Sequence, residues 1–270
     1  MTESSPPDDD ISPIVTTLRA AGCVFAEEEA RLLVDEAASP TDLAAMIRQR
    51  AAGLPLEHVL GWAEFCTLRI ALDHGVFVPR QRTEFLARQA IALAARIIGR
   101  PPIVLDLCCG SGAVGTVMMT ALDRIELHAA DIEPAAVRCA GRNVSSARVY
   151  EGDLYDPLPA RLRGQIDVLV ANAPYVPTEA IELMPSEARL HEPRVALDGG
   201  PDGLNVLRRV ITEAPGWLAP GGSLLVETSQ QQAALTVEIF TRSGLVPKVV
   251  NSQAVDATVV IGAMSDRRPG

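Results

Sequence analysis

The spacing of hydrophobic residues changes once along this chain, near residue 100. Before that point apolar side chains recur every three or four positions. The spacing predicts amphipathic helices within residues 13–60, clearest over 26–38 and 41–52. Pro40-Thr41-Asp42 supplies a helix start, with Asp42 adding negative charge near the N-terminus. Residues 62–73, WAEFCTLRIALD, mix β-branched and aromatic side chains and fit a short hairpin linker, and 83–98 reads as another helix. Beyond residue 100, short apolar runs alternate with helical stretches. Runs at 102–107, 125–130, 147–151, 166–171, 223–227, 245–250 and 258–261 read as strands, and 113–122 and 134–143 as helices. Apolar strands alternating with helices predict an α/β fold, a mostly parallel sheet covered on both faces.

These patterns divide the chain. Residues 1–12, rich in Ser, Pro and Asp, are expected to be disordered. A helical lobe with its hairpin linker is expected over 13–73, the main α/β domain over 74–264, and a loose tail over 265–270.

Composition narrows the function. The chain has 270 residues, 48% of them hydrophobic, enough for a substantial core. Net charge is -10, which argues against direct nucleic-acid binding through the phosphate backbone. Five scattered cysteines (Cys23, Cys66, Cys108, Cys109, Cys139) contain no CxxC pair, so neither a metal site nor a disulfide framework is expected. A reducing, cytoplasmic setting is the simplest reading. The acidic N-terminus does not resemble a signal peptide, and no apolar run approaches the ~18 residues that span a bilayer.

The candidate chemistry starts at 104-VLDLCCGSGAVG-115, which follows a strand and opens a helix. Gly110, Ser111 and Gly112 form a turn in which glycine lets the backbone take positive φ and approach a ligand. Asp131, at the end of the next strand, is placed to accept hydrogen bonds from both ribose hydroxyls of a nucleoside. A simple strand-to-helix connector is the plain alternative. NAD and S-adenosylmethionine both suit that geometry, and only NAD brings a pyrophosphate to the helix N-terminus. Asp153, in 151-EGDLYD-156, is placed to accept from an adenine amino group with Leu154 flanking the base, or is an ordinary turn acid. After the fourth strand comes Asn172-Ala173-Pro174-Tyr175, for which a dehydrogenase has no use.

In these blocks the chain resembles the class I, S-adenosylmethionine-dependent methyltransferases. More narrowly, it resembles the protein-(glutamine-N5) methyltransferases that modify peptide chain release factors. That family carries Asn-Pro-Pro-Tyr after strand four, a segment like 75-GVFVPRQRTE-84, and a stretch like 197-LDGGPDGL-204. The resemblance implies a Rossmann-like, seven-stranded, mostly parallel methyltransferase sheet, with the helical lobe serving substrate docking. It implies S-adenosylmethionine as cofactor and an exposed glutamine loop of a partner protein as acceptor. It gives Asn172, Ala173, Pro174 and Tyr175 the catalytic part. The Asn side-chain carbonyl and the next backbone carbonyl accept from the amide N–H groups, and the Tyr ring packs over the amide plane. The cofactor falls to Gly110, Ser111, Gly112, Asp131, Asp153, Leu154 and Asn172, flanked by Phe77, Arg80 and Thr83. For Phe77 a linker anchor, and for Arg80 and Thr83 a polar helix start, are equal alternatives. Residues 178–194, with four glutamates, read as a mobile lid over the substrate mouth or as a solvated acidic stretch.

Three departures mark a divergent branch. Ala173 replaces a proline, keeping the carbonyl but losing a fixed φ worth up to about 1 kcal/mol. Cys108 replaces the loop's first glycine, although cysteine tolerates positive φ poorly. The arginine usual before the last strand is missing from 251-NSQAVDATVVIG-262. Other readings stay open: methylation of an exocyclic amine on a nucleic-acid base, non-catalytic cofactor binding, and, last, an NAD oxidoreductase.

Overall fold

A computed structural model describes residues 11–265 of the chain. The expectations for residues 1–10 and 266–270 lie outside the described residues. Helix α1 (Ser12–Ala20) begins at once, with Ile11 and Leu18 buried, so order reaches further toward the N-terminus than expected. Helices α2 (Ala26–Glu36), α3 (Pro40–Ala51) and α4 (Leu56–Leu60) follow and share a small core of Leu18, Ala26, Ala30, Leu33 and Met46. The start of α3 is capped reciprocally. The Asp42 N–H donates to Ser39 Oγ (3.2 Å), and the Ala38 N–H donates to Asp42 Oδ2 (3.0 Å). Arg50 of α3 is buried and donates to both carboxylate oxygens of Glu29 on α2 (2.6 and 3.1 Å).

The hairpin of β1 (Trp62–Phe65) and β2 (Leu68–Ala71) pairs Trp62 with Ala71 and leads to α5 (Thr83–Ala94). The helix stops four residues earlier than its sequence pattern, and Ile98 beyond it is exposed. The main sheet contains β3 (Ile103–Leu107), β4 (Glu126–Asp131), β5 (Arg148–Glu151), β6 (Ile166–Ala171), β7 (Leu218–Thr228), β8 (Val246–Ser252) and β9 (Ala257–Ala263). Their order is β5-β4-β3-β6-β7-β9-β8; β9 runs antiparallel to both its neighbours, and the remaining pairings are parallel. Helices α6 (Ala113–Ala121), α7 (Pro134–Asn143), α8 (Ser186–His191), α9 (Asn205–Glu213) and α10 (Ala233–Arg242) complete the chain.

All six residues of β6 are buried, which explains why it is apolar apart from Asp167, itself paired with Arg100: both faces are covered. One core packs Leu105, Leu107, Leu169 and Leu224 against α9 and α10; the other packs Val104, Val168 and Leu225 against α5 and α6. The chain builds outward from β3 to β5, then restarts at β6 on β3's other side. That reversal opens a crevice at the carboxyl ends of β3 and β6, where α/β sheets place their ligands.

Candidate active site

The crevice is floored by the turn after β3. Cys108, Gly110 and Gly112 all have positive φ (58°, 54° and 76°), and the Cys109 N–H donates to Ala130 O (3.1 Å) on β4. Cys108 therefore keeps the glycine conformation despite its Cβ, at a cost of about 1–2 kcal/mol. Gly112 is the N-cap of α6, and a Cβ there would press on the Ala140 backbone of α7 at 3.2 Å. Ser111 is buried, and its carbonyl accepts from Asn143 Nδ2 (2.8 Å).

Around this turn lies a cavity of about 240 Å³. Its wall includes Gly110, Ser111, Asp131, Asp153, Leu154, Asn172, Pro174, Phe77 and Thr83. Asp131 Oδ2 accepts the Gly110 N–H (2.8 Å) and Oδ1 accepts the Glu133 N–H (2.9 Å). Burial raises its pKa, and those two amide bonds pull the other way. Asp153 lies on the wall paired with Arg209 of α9 (3.1 and 2.9 Å), so its carboxylate already has a partner. Leu154 is buried with positive φ (48°), turning the chain sharply after Asp153.

A second, smaller cavity of about 50 Å³ adjoins the first. Phe77, Asn172, Pro174 and Ala196 line both; Arg80, Arg82, Ala173 and Tyr175 line the smaller. Asn172 Nδ2 donates to Thr83 Oγ1 (3.2 Å) at the start of α5. The Tyr175 hydroxyl donates to Glu227 Oε1 (2.9 Å) at the end of β7. The glycine-rich stretch 197–204 supports Tyr175 from behind. Val176 bridges to Asp198 in parallel, and a Cβ on Gly203 would collide with the Tyr175 carbonyl. Gln232 Nε2 donates to that same carbonyl (2.9 Å).

Residues 178–194 form a 3₁₀ turn (Thr178–Leu183) and α8, clasped at two points. Arg50 donates to Glu187 (2.7 Å), and Arg80 donates to the buried Glu192 (2.6 Å) while stacking on Phe77 (4.7 Å). At least these two glutamates are paired rather than freely solvated. Of the expected site residues, Gly112 shapes the turn from beneath, and Arg80, Ala173 and Tyr175 face only the smaller cavity; the remainder line the larger.

Sequence reasoning missed four groups. Asp106 is fully buried on β3 and accepts the Gly115 N–H (3.0 Å); desolvation, with the Asp131 charge nearby, pushes its pKa up to about 7. Its signal was an acid ending an apolar strand beside the glycine turn. Arg209, Arg82 and Glu227 left no local signal. Apart from Asp106, the larger cavity's wall carries Asp131, Glu133 and Asp153 against Arg209. Such a balance repels a pyrophosphate and suits a ligand bearing positive charge.

The family model described as "Methyltransferase small domain" matches residues 81–200. The release factor glutamine methyltransferase of Geobacter sulfurreducens is 36% identical over 217 residues, covering 78% of this chain and 74% of that relative. The chain belongs to the release factor glutamine methyltransferase family. A 4-amino-L-phenylalanine/4-methylamino-L-phenylalanine methyltransferase of Streptomyces pristinaespiralis is also related to it, at 34% identity over 203 residues, covering 73% of this chain and 69% of that one. Among solved structures, a ribosomal protein L11 methylase from Lactobacillus delbrueckii subsp. bulgaricus shares the fold, with a TM-score of 0.50, 14% identity, and coverage of 69% of this chain and 80% of that one. Among the described residues no helix is long and apolar enough to cross a membrane.

Proposed function

We propose that this protein transfers a methyl group from S-adenosylmethionine to the side-chain amide nitrogen (N5) of a glutamine in a peptide chain release factor. One observation carries the reading: Asn172 stands on the wall shared by two adjoining cavities, with Tyr175 on the smaller. When bound in the larger cavity, the cofactor supplies a methyl carbon on a positively charged sulfur. The acidic wall suits that charge, and Asp131, steadied by two backbone amides, keeps lone pairs for ribose hydroxyls. Gly110 and Ser111 allow close backbone approach, while Phe77, Thr83 and Leu154 enclose. Asp153 meets the adenine end together with Arg209.

An amide nitrogen is a poor nucleophile because its lone pair is delocalised into the carbonyl. The Asn172 side-chain carbonyl and the Ala173 backbone carbonyl accept its two N–H bonds, push density toward nitrogen and hold it in line. The Tyr175 ring, packed against the amide plane, restricts its rotation. Alignment of this kind supplies several kcal/mol. The proton leaves after transfer, so no strong base is needed beside Asn172.

Helices α1–α4 and the hairpin serve in this reading as the docking lobe for the protein substrate. The clasp from Arg50 to Glu187 supports it, because it ties that lobe to the segment roofing the smaller cavity. The acidic net charge favours a protein partner over nucleic acid, and the cytoplasm, where release factors act, is the setting.

The test is incubation with S-adenosylmethionine and a purified release factor, followed by mass spectrometry of the glutamine loop. One added methyl on that glutamine is expected. Parallel incubations with 4-amino-L-phenylalanine and with RNA provide the contrast. Methyl transfer to either of those, with the glutamine left unmodified, would overturn the reading.

A further inference from the structure

Tyr175 is held at both ends by one short stretch of chain. Its hydroxyl donates to Oε1 of Glu227 (2.9 Å), the second-last residue of β7. Its backbone carbonyl accepts from Nε2 of Gln232 (2.9 Å), the residue just before α10. The turn from β7 into α10 therefore grips the tyrosine at the tip of the ring and at the main chain. Arg82 stands over the ring, 5.9 Å from its centre.

The grip on the main chain is fully determined. Gln232 is buried, 7% exposed, and a buried amide costs stability unless each polar atom is matched. Here each one is. Nε2 spends its second proton on the Asp202 carbonyl (3.0 Å), and Oε1 accepts from the Ser229 hydroxyl (2.9 Å). Carbonyl oxygens accept and never donate, so Tyr175 and Asp202 fix which end of the amide faces them. Gly203 makes the room: a Cβ there would collide with both Gln232 Nε2 and the Tyr175 carbonyl oxygen. Three segments thus meet on one side-chain amide: the stretch after β6, the glycine-rich stretch 197–204 and the turn before α10.

The consequence falls on the smaller cavity, which Tyr175 lines and the larger does not share. The peptide unit is planar, so tying its carbonyl fixes the whole plane that follows Tyr175 and limits how far the Cα–Cβ bond can swing. We propose that Gln232 is a positioning residue for methyl transfer: by holding the Tyr175 carbonyl it sets where the Tyr175 ring stands against the acceptor amide. The inference rests on the glutamine reading above, in which that ring packs on the amide plane.

The test uses the full chain with Gln232→Met, which keeps the size and removes both donors, with Tyr175→Ala, and with the two combined. Single-turnover methylation of the release factor, cofactor Kd by calorimetry and thermal melting are measured for each. Ring signals of carbon-13-labelled tyrosine are followed by NMR with S-adenosylhomocysteine bound. The chain has three tyrosines, and a Tyr175→Phe sample identifies the signal of interest. Gln232→Met is expected to slow transfer about 10- to 100-fold, the scale set by misplacing an aligned group by about 1 Å. Cofactor Kd should stay within about threefold, since neither Gln232 nor Tyr175 lines the larger cavity. In the Tyr175→Ala background the same substitution should cost no more than about twofold, because its effect runs through the missing ring. The Tyr175 signal should shift in Gln232→Met while those of Tyr150 and Tyr155 stay, which a general loosening of the core would not spare. Multiplying losses in the double variant, or an unmoved Tyr175 signal in Gln232→Met, would overturn the proposal. Should Gln232→Met fail to fold, Ser229→Ala, which frees only Oε1, must itself slow transfer and move the Tyr175 signal. Should the wild type leave the release factor unmethylated, the glutamine reading fails, while the NMR arm still decides whether Gln232 sets the ring.

Discussion

The two adjoining cavities are built in different ways. The floor of the larger is laid down by continuous chain: β3, its turn, α6, β4 and Asp131 span about 30 residues in a row, and Phe77, Asp153, Asn172 and Arg209 complete its wall. The smaller is assembled from distant segments, with Phe77, Arg80 and Arg82 from before α5, Asn172 to Tyr175 after β6, and Met184 from the clasped strap. Glu227, 52 positions from Tyr175, completes it. A pocket floor made by one supersecondary unit forms wherever that unit folds. A pocket gathered from many elements depends on the whole sheet being registered. The contrast predicts that single substitutions separate cofactor binding from methyl transfer.

The sharpest way to break the comparison is Asn172→Ala. Transfer should vanish, falling at least about 1000-fold as expected when a group aligning the acceptor is removed, while cofactor affinity changes only a few-fold. Steady-state kinetics and calorimetry check both numbers; unchanged turnover would remove Asn172 from its role. The converse is Asp131→Ala. Here cofactor Kd should weaken by about 10- to 100-fold, and much of the rate should return at saturating cofactor. A loss that saturation does not restore would mean that the two cavities are not separable.

A smaller effect concerns pH. Asp106 has its pKa raised from 3.8 to about 7. The folded state therefore holds a proton that the unfolded state has released between those values. The stability contributed is fully present below about pH 4 and is lost as pH rises through about 7. Asp106→Asn keeps an acceptor for the Gly115 N–H and removes that loss. Its melting temperature relative to wild type should climb between pH 5 and pH 8, by the equivalent of about 1 kcal/mol or more. A difference that does not vary with pH would show that Asp106 is ionised throughout. The smallest effect is Cys108→Gly, expected to raise stability by about 1 kcal/mol by relieving the positive φ, read as a higher denaturation midpoint.

The same contrast explains what could be read in advance. The strands and the glycine turn were legible because each is written in local pattern: the apolar run 168–171 for β6, a capped start for α3, glycines where φ is positive. Expected and observed boundaries mostly agree within two residues. The larger exceptions are α5, which stops four residues early, and β7, which starts at Leu218 rather than Ser223 with a register shift opposite Ile166 and Val168. Helices α9 and α10 were absent from the sequence reading, although Leu207, Val210 and Ile211 give α9 a helical face. With α9 unread, the pairing of Arg209 with Asp153 was out of reach. Glu227 was hidden for a different reason. Its partners, Arg82 before α5 and Tyr175 after β6, lie far from it in the chain.

Cys108 and Cys109 sit on the wall of the larger cavity as free thiols, and burial there raises the pKa of both well above the ordinary thiol value. A sulfonium methyl donor is an alkylating agent, and sulfur attacks alkyl carbon readily only as thiolate. Burial thus favours the protonated form of both sulfurs, which makes them poorer rivals for the methyl group.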